Sequence, residues 1–75
     1  MEKIVIHTEN IQLDQLLKWA GVVGTGGEVK VLVQEQMIKI NGKLATARRA
    51  RLFDGDIVEL KEAGTWQVEV KKDEV

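Results

Sequence analysis

The 75-residue chain contains no cysteine, serine, tyrosine or proline, and its only histidine is His7. Without cysteine, disulfide bonds and thiolate metal sites are excluded, so packing alone must stabilise the fold. The lack of serine and cysteine also removes the usual nucleophiles. A lone histidine in a β-like segment favours a half-buried strand residue over a general base. We therefore expect a non-catalytic protein with no cofactor, no metal site and no small-molecule substrate.

Long apolar runs are also missing. The longest, from Trp19 to Gly24, is far below the roughly 20 residues that a membrane span needs. The first seven residues lack the basic leader and long apolar segment of a secretory signal. A composition of 44% hydrophobic and 31% charged residues is typical of a globular domain. The sequence predicts a single cytoplasmic domain over residues 1–75, monomeric and without a membrane partner.

The formal net charge of −1 conceals a strong segregation of charge along the chain. Residues 1–35 sum to −2, residues 36–53 to +5 and residues 54–75 to −4. The middle segment has no acidic residue, and its positive charges are Lys39, Lys43, Arg48, Arg49 and Arg51. Such a block can attract phosphate groups in spite of the overall charge. A solvated surface loop explains the same block equally well.

Apolar spacing predicts a first amphipathic helix from about residue 11 to residue 20. Its apolar stripe consists of Leu13, Leu16, Leu17 and Ala20. Asn10 is the nearest N-cap candidate, Thr8 competes with it, and Gly21 suits the left-handed position after a helix. Trp19 falls at the edge of the stripe, which favours a residue at the core boundary over a platform for stacking a base.

A second helix is predicted to begin at a T-x-x-E capping box. In this motif the side chain of Thr25 accepts from the N–H of Glu28, and the side chain of Glu28 reaches back to accept from the N–H of Thr25. Gly26 and Gly27 follow the cap, where free N–H groups attract anions and glycines let a phosphate approach closely. A tight turn explains the same glycines, and Glu28 would repel an anion. The anion site gains support if Lys30 and the basic segment lie on the same side.

Alternating apolar residues predict five short strands, at residues 3–7, 37–40, 43–44, 57–60 and 66–70. The first is expected at a sheet edge, and Asn41-Gly42 is a strong signal for a two-residue hairpin. Residues 45–51 show no period and are predicted to form a basic loop or irregular edge. Phe53 and Trp66 are interpreted as sheet and core aromatics, and residues 71–75 as a polar tail.

The order β-α-α-β-β-β-β predicts an α+β fold, with two short helices packed on a small, mostly antiparallel β-sheet. Five features follow one another along the chain: the helix at 11–21, T-G-G-x-x-K at 25–30, the segment 37–43, R-R-x-R at 48–51 and the segment 54–58. Together they resemble the RNA-binding domain of ribosomal protein S4, the alpha-L motif. The likeness covers about residues 8–60 and is greatest to short stand-alone bacterial versions of the domain.

The resemblance implies binding of structured RNA, ribosomal RNA above all, with a role in ribosome assembly or function. Lys30, Arg48, Arg49 and Arg51 would then contact phosphates, with Lys18 and Lys43 as weaker candidates. The complete set of implied RNA-binding residues is Lys18, Thr25, Gly26, Gly27, Lys30, Lys43, Arg48, Arg49 and Arg51. Many larger family members have Ser-Arg where this chain has Gly26-Gly27, so backbone N–H groups would have to replace a side-chain contact.

Two other classes of protein remain as alternatives. The segments 40–43 and 54–60 also resemble small β-grasp sulfur carriers, but those end in Gly-Gly and carry one long helix between two hairpins. The charge of −4 in the last third leaves room for an adaptor that binds proteins through an acidic sheet. Measured RNA affinity separates the adaptor from the RNA-binding domain.

Overall fold

Seven strands and two helices make up residues 1–71, the part of the chain that the computed structural model describes. They are β1 (Glu2–Ile6), β2 (Asn10–Gln12), α1 (Leu13–Trp19), α2 (Gly26–Gln34), β3 (Ile38–Ile40), β4 (Lys43–Leu44), β5 (Arg51–Phe53), β6 (Ile57–Leu60) and β7 (Gly64–Val70). The predicted polar tail lies outside the described residues except for Lys71. Neither of these helices is long and apolar enough to cross a membrane.

Five of the strands form one sheet in the order β1-β7-β6-β3-β4. β1 lies at an edge and runs parallel to β7, whereas the other neighbours are antiparallel. The predicted α+β fold, with its mostly antiparallel sheet and its edge strand, is confirmed. The sequence did not indicate β2 or β5, which form a separate antiparallel ribbon. Each has three residues with a single buried side chain, and no hairpin signal such as Asn41-Gly42 connects the two strands.

The helices and the inner faces of both sheets share one apolar core. Its fully buried side chains are Ile6, Leu13, Leu16, Leu17, Val29, Ile38, Leu52, Val58 and Val68. Trp66 is 4% exposed, as predicted for a core aromatic. The same prediction is wrong for Phe53, which is 51% exposed. Since Leu52 takes the inward position of β5, alternation turns Phe53 outward.

His7 also differs from its predicted position. It is exposed and follows the last residue of β1 rather than lying half-buried within a strand. Its ring Nδ1 lies 2.9 Å from the carbonyl oxygen of Lys71. This contact holds the ring against the backbone that follows β7.

The predicted N-cap of α1 is wrong. The helix begins at Leu13 after Gln12, whose side chain makes no capping hydrogen bond. Asn10 belongs instead to β2, opposite Phe53, and Thr8 Oγ1 donates to the carbonyl of Asn10 at 2.8 Å. Pairing with β5 holds this segment extended up to the first turn of the helix, so neither predicted side chain can reach the helix N-terminus.

Backbone carbonyls of the basic segment take over the capping of α1. The N–H of Leu13 donates to the carbonyl of Ala50 at 2.8 Å, and the N–H of Asp14 donates to that of Arg48 at 3.0 Å. The first N–H groups of a helix have no partner within it, so these bonds satisfy two of them. They also fix the backbone of residues 48–50 against the start of α1.

The end of α1 follows the sequence prediction. Gly21 has φ +78°, its N–H donates to Lys18, and the N–H of Val22 donates to Leu17. This pair of bonds is a Schellman motif, which requires the left-handed conformation that glycine adopts without strain. The Asn41-Gly42 hairpin is also confirmed, with φ of +52° and +83° between the paired residues Ile40 and Lys43.

The second helix ends in the same motif without a glycine. Gln36 has φ +60°, and the N–H of Met37 donates to the carbonyl of Leu32. A side chain makes this conformation costly by about 1 kcal/mol. We therefore expect Gln36→Gly to raise the free energy of unfolding by about 0.5–1 kcal/mol in urea denaturation. Glu35→Gly is the matched control, since residue 35 has φ −86° and should give no gain.

Candidate nucleic-acid interface

A cleft of about 350 Å³ separates one face of α2 from the irregular segment after β4. It is lined by Lys30, Val33, Gln34, Thr46, Ala47 and Arg48. Lys30 comes from the middle of α2 and Arg48 from the basic segment, so the fold brings two predicted phosphate-binding residues to one cleft. Gln34 was not predicted here, although its position one turn after Lys30 places both on one helix face.

The N-terminus of α2 lies beside this cleft. A Cβ atom added to Gly26 would meet Arg48 Nη1 at 3.5 Å and Asp14 Oδ2 at 3.4 Å. The start of the helix and the Arg48 guanidinium are therefore neighbours. Asp14 is only 6% exposed. Its carboxylate attracts the guanidinium and favours an Arg48 side chain directed toward α2.

The capping box is confirmed in its first half. The N–H of Glu28 donates to Thr25 Oγ1 at 3.3 Å. In the second half Glu28 Oε1 accepts from the N–H of Gly24 at 3.2 Å, rather than from the cap residue itself. The extended backbone of Thr25 leaves the N–H of the preceding glycine within reach of this carboxylate.

Glu28 does not enter the cleft. It lies roughly 160° around the helix axis from Lys30. Its side chain borders a different groove, with Val31 and Met37 on the opposite side of α2. The Glu28 carboxylate thus faces away from Lys30, but its bond to the N–H of Gly24 keeps it beside the start of α2, where the repulsion of an anion was predicted.

Comparison with known proteins identifies the domain. Residues 4–69 match the sequence profile of the family described as S4 domain. This chain belongs to the S4 domain family. A protein of Bacillus subtilis (strain 168) named "Probable ribosome maturation protein RlbA" is 38% identical over 65 residues, which cover 87% of this chain and 92% of that protein. The resemblance to the RNA-binding domain of ribosomal protein S4 is confirmed, and the sulfur-carrier alternative is set aside.

The remaining basic candidates of this S4 domain occupy different positions. Arg49 is exposed in the loop next to Arg48, and Arg51 is exposed on β5. Lys18 is exposed in the last turn of α1 and Lys43 on the edge strand β4. None of these four residues lines the cleft. We call the first turn of α2 together with Lys30, Arg48, Arg49 and Arg51 the cationic ridge.

Trp19 of this S4 domain is 61% exposed, so its predicted place at the core boundary is wrong. It lies roughly 60° beyond Leu16 on the solvent side of the apolar stripe, with the exposed Gln15 one turn before it. Within residues 1–71, no group of three or more His, Cys, Asp or Glu side chains is placed to hold a metal ion.

The open face of the five-stranded sheet is not an acidic surface. Strand alternation places Glu59 and Glu69 there, together with Lys3 and Lys39. Lys39 is the cross-strand partner of Glu59, so opposite charges are adjacent. The two acidic residues of the last third that lie on this face are matched by two lysines from other parts of the chain, so the face is not the acidic surface that the adaptor alternative requires.

Proposed function

We propose that this S4-domain protein binds folded RNA, ribosomal RNA in particular, through the cationic ridge. It acts without catalysis, in the cytoplasm, as a monomer in ribosome maturation. The observation that carries the proposal is the convergence of Lys30, Arg48 and the glycine-rich start of α2 at one cleft. The name of the Bacillus subtilis relative, a ribosome maturation protein, supports the same role.

The local charge outweighs the net charge in this proposal. Phosphate groups respond to the field within about 8 Å at physiological salt, because ions screen more distant charges. The ridge carries four cationic side chains. Its acidic neighbours are the buried Asp14 beside Gly26 and Glu28 of the first turn of α2, whose carboxylate is bonded to Gly24 on the side away from Lys30. A formal net charge of −1 is thus compatible with binding to a polyanion.

The outer surface of α2 favours folded RNA over B-form DNA. A helix that reads the major groove carries polar side chains able to reach base edges. Here the exposed side chains of α2 include the acidic Glu28 and the apolar Val31. A compact ridge of cations beside a helix N-terminus is suited instead to phosphates that RNA shape holds at fixed positions.

A competition assay tests this proposal. We expect a structured ribosomal RNA fragment to displace a labelled copy of itself at far lower concentration than unstructured RNA or duplex DNA of equal length. All three competitors are compared at the same salt concentration, because phosphate contacts dominate affinity at low salt. Equal competition by all three would show that the protein binds polyanions without specificity for folded RNA. Absence of binding would reject the proposal.

A further inference from the structure

The ribbon formed by β2 and β5 has an outer face with an unusual set of side chains. Ile11 and Leu52, which pair across the ribbon, are both buried, so their neighbours along each strand turn outward. These outward residues are Asn10, Gln12, Arg51 and Phe53. The face thus combines an exposed aromatic ring, a guanidinium and two amides.

A hydrogen bond fixes the guanidinium on this face. Arg51 Nη1 donates to Asn10 Oδ1 at 3.1 Å. Asn10 is the cross-strand partner of Phe53, so this bond brings the guanidinium to the end of the ribbon that carries the ring. Aromatic rings and arginine planes are the two kinds of protein surface on which unpaired RNA bases stack.

The ribbon is continuous with the cationic ridge. Residues 48–50 run directly into β5, and their carbonyls hold the first turn of α1. Phe53 follows Arg49 by four residues, a span of at most about 14 Å, so a nucleic acid whose phosphates lie along Arg48 and Arg49 can extend to the ring. The face offers too little apolar area for a protein partner, since its single exposed ring is flanked by Arg51 and two amides.

We propose that the outer face of the ribbon stacks one unpaired base of the bound RNA, with Phe53 as the platform and Arg51 beside it. This inference rests on the proposed function and adds to it the class of RNA recognised, which is a duplex interrupted by an unpaired nucleotide. The ridge binds the phosphates of the duplex, and the ribbon selects for the interruption. Asn10 and Gln12 supply hydrogen-bonding groups for the edge of the stacked base.

The test uses two RNA hairpins with the same stem, one fully paired and one with a single-nucleotide bulge. We expect the unchanged protein to bind the bulged hairpin roughly tenfold more tightly than the paired one. Phe53→Leu should abolish this preference while leaving affinity for the paired hairpin unchanged, and Phe53→Trp should retain it. The emission of a fluorescent adenine analogue at the bulge should change when the unchanged protein or Phe53→Trp binds, because the base leaves the RNA stack for the ring, and should change much less with Phe53→Leu.

Trp19→Leu is the matched control, because it removes another exposed aromatic ring at a site outside the ridge and the ribbon. It should keep both the preference and the change in emission. A preference that survives Phe53→Leu, or that Trp19→Leu abolishes, would overturn the ribbon as the platform. Equal affinity of the unchanged protein for both hairpins would also overturn it and leave the proposed function standing. Binding to neither hairpin would reject both.

Discussion

Replacing Arg48, Arg49 and Arg51 together by alanine is expected to weaken RNA binding roughly tenfold or more at moderate salt. Each arginine that neutralises a phosphate releases condensed counterions from the RNA. On a duplex, the slope of log affinity against log salt should therefore fall by roughly 0.9 for every such arginine that is removed. The measurement is a binding titration at four or more salt concentrations. An unchanged slope would show that the three arginines do not bind phosphates.

The control for this variant removes the same amount of charge elsewhere. Lys3, Lys39 and Lys61 are exposed residues outside the ridge, two on the open face of the sheet and one after β6. Their replacement by alanine should leave the salt slope close to that of the unchanged protein. Because Arg48 lies near the buried Asp14, the double variant Arg49→Ala/Arg51→Ala serves as a second test in which that neighbour is retained.

Substitutions at Gly27 are expected to move RNA affinity in opposite directions according to charge. Gly27→Glu should weaken binding about tenfold and Gly27→Arg should strengthen it, because the side chain starts where phosphate is expected to meet the helix N-terminus. A Cβ atom at this position meets only Thr25 Oγ1, at 3.7 Å, so the fold has room for either side chain. Affinities are measured at low salt, where single charges have their greatest effect.

Two further variants separate charge from geometry at this site. Gly27→Ala adds only a methyl group and should bind as the unchanged protein does. Gln67→Glu adds one negative charge on the open face of the sheet and should have little effect on affinity. If Gly27→Glu binds RNA as tightly as Gly27→Ala, the two glycines serve only to form the turn between the helices.

Local chemistry in the sequence determined several elements without reference to the rest of the chain. The spacing of the leucines predicted the buried face of α1, and Gly21 and Asn41-Gly42 predicted two left-handed turns that the structure contains. The Thr25 cap was predicted in the same way. Each of these depends on residues no more than a few positions apart, because helix periodicity, capping and tight turns are short-range properties of the backbone.

Only the tertiary structure decided the arrangement of the site. The pairing of β2 with β5 turns Phe53 outward. The packing of the basic segment against the helices brings Arg48 to the same cleft as Lys30. It also places the carbonyls of Arg48 and Ala50 where they cap α1. β2 and β5 have one buried side chain each, which gives no period to detect, and their register is set by which partner buries Leu52. Segments far apart in the sequence come into contact because they bury the shared core together. No short stretch of sequence shows which of them will do so.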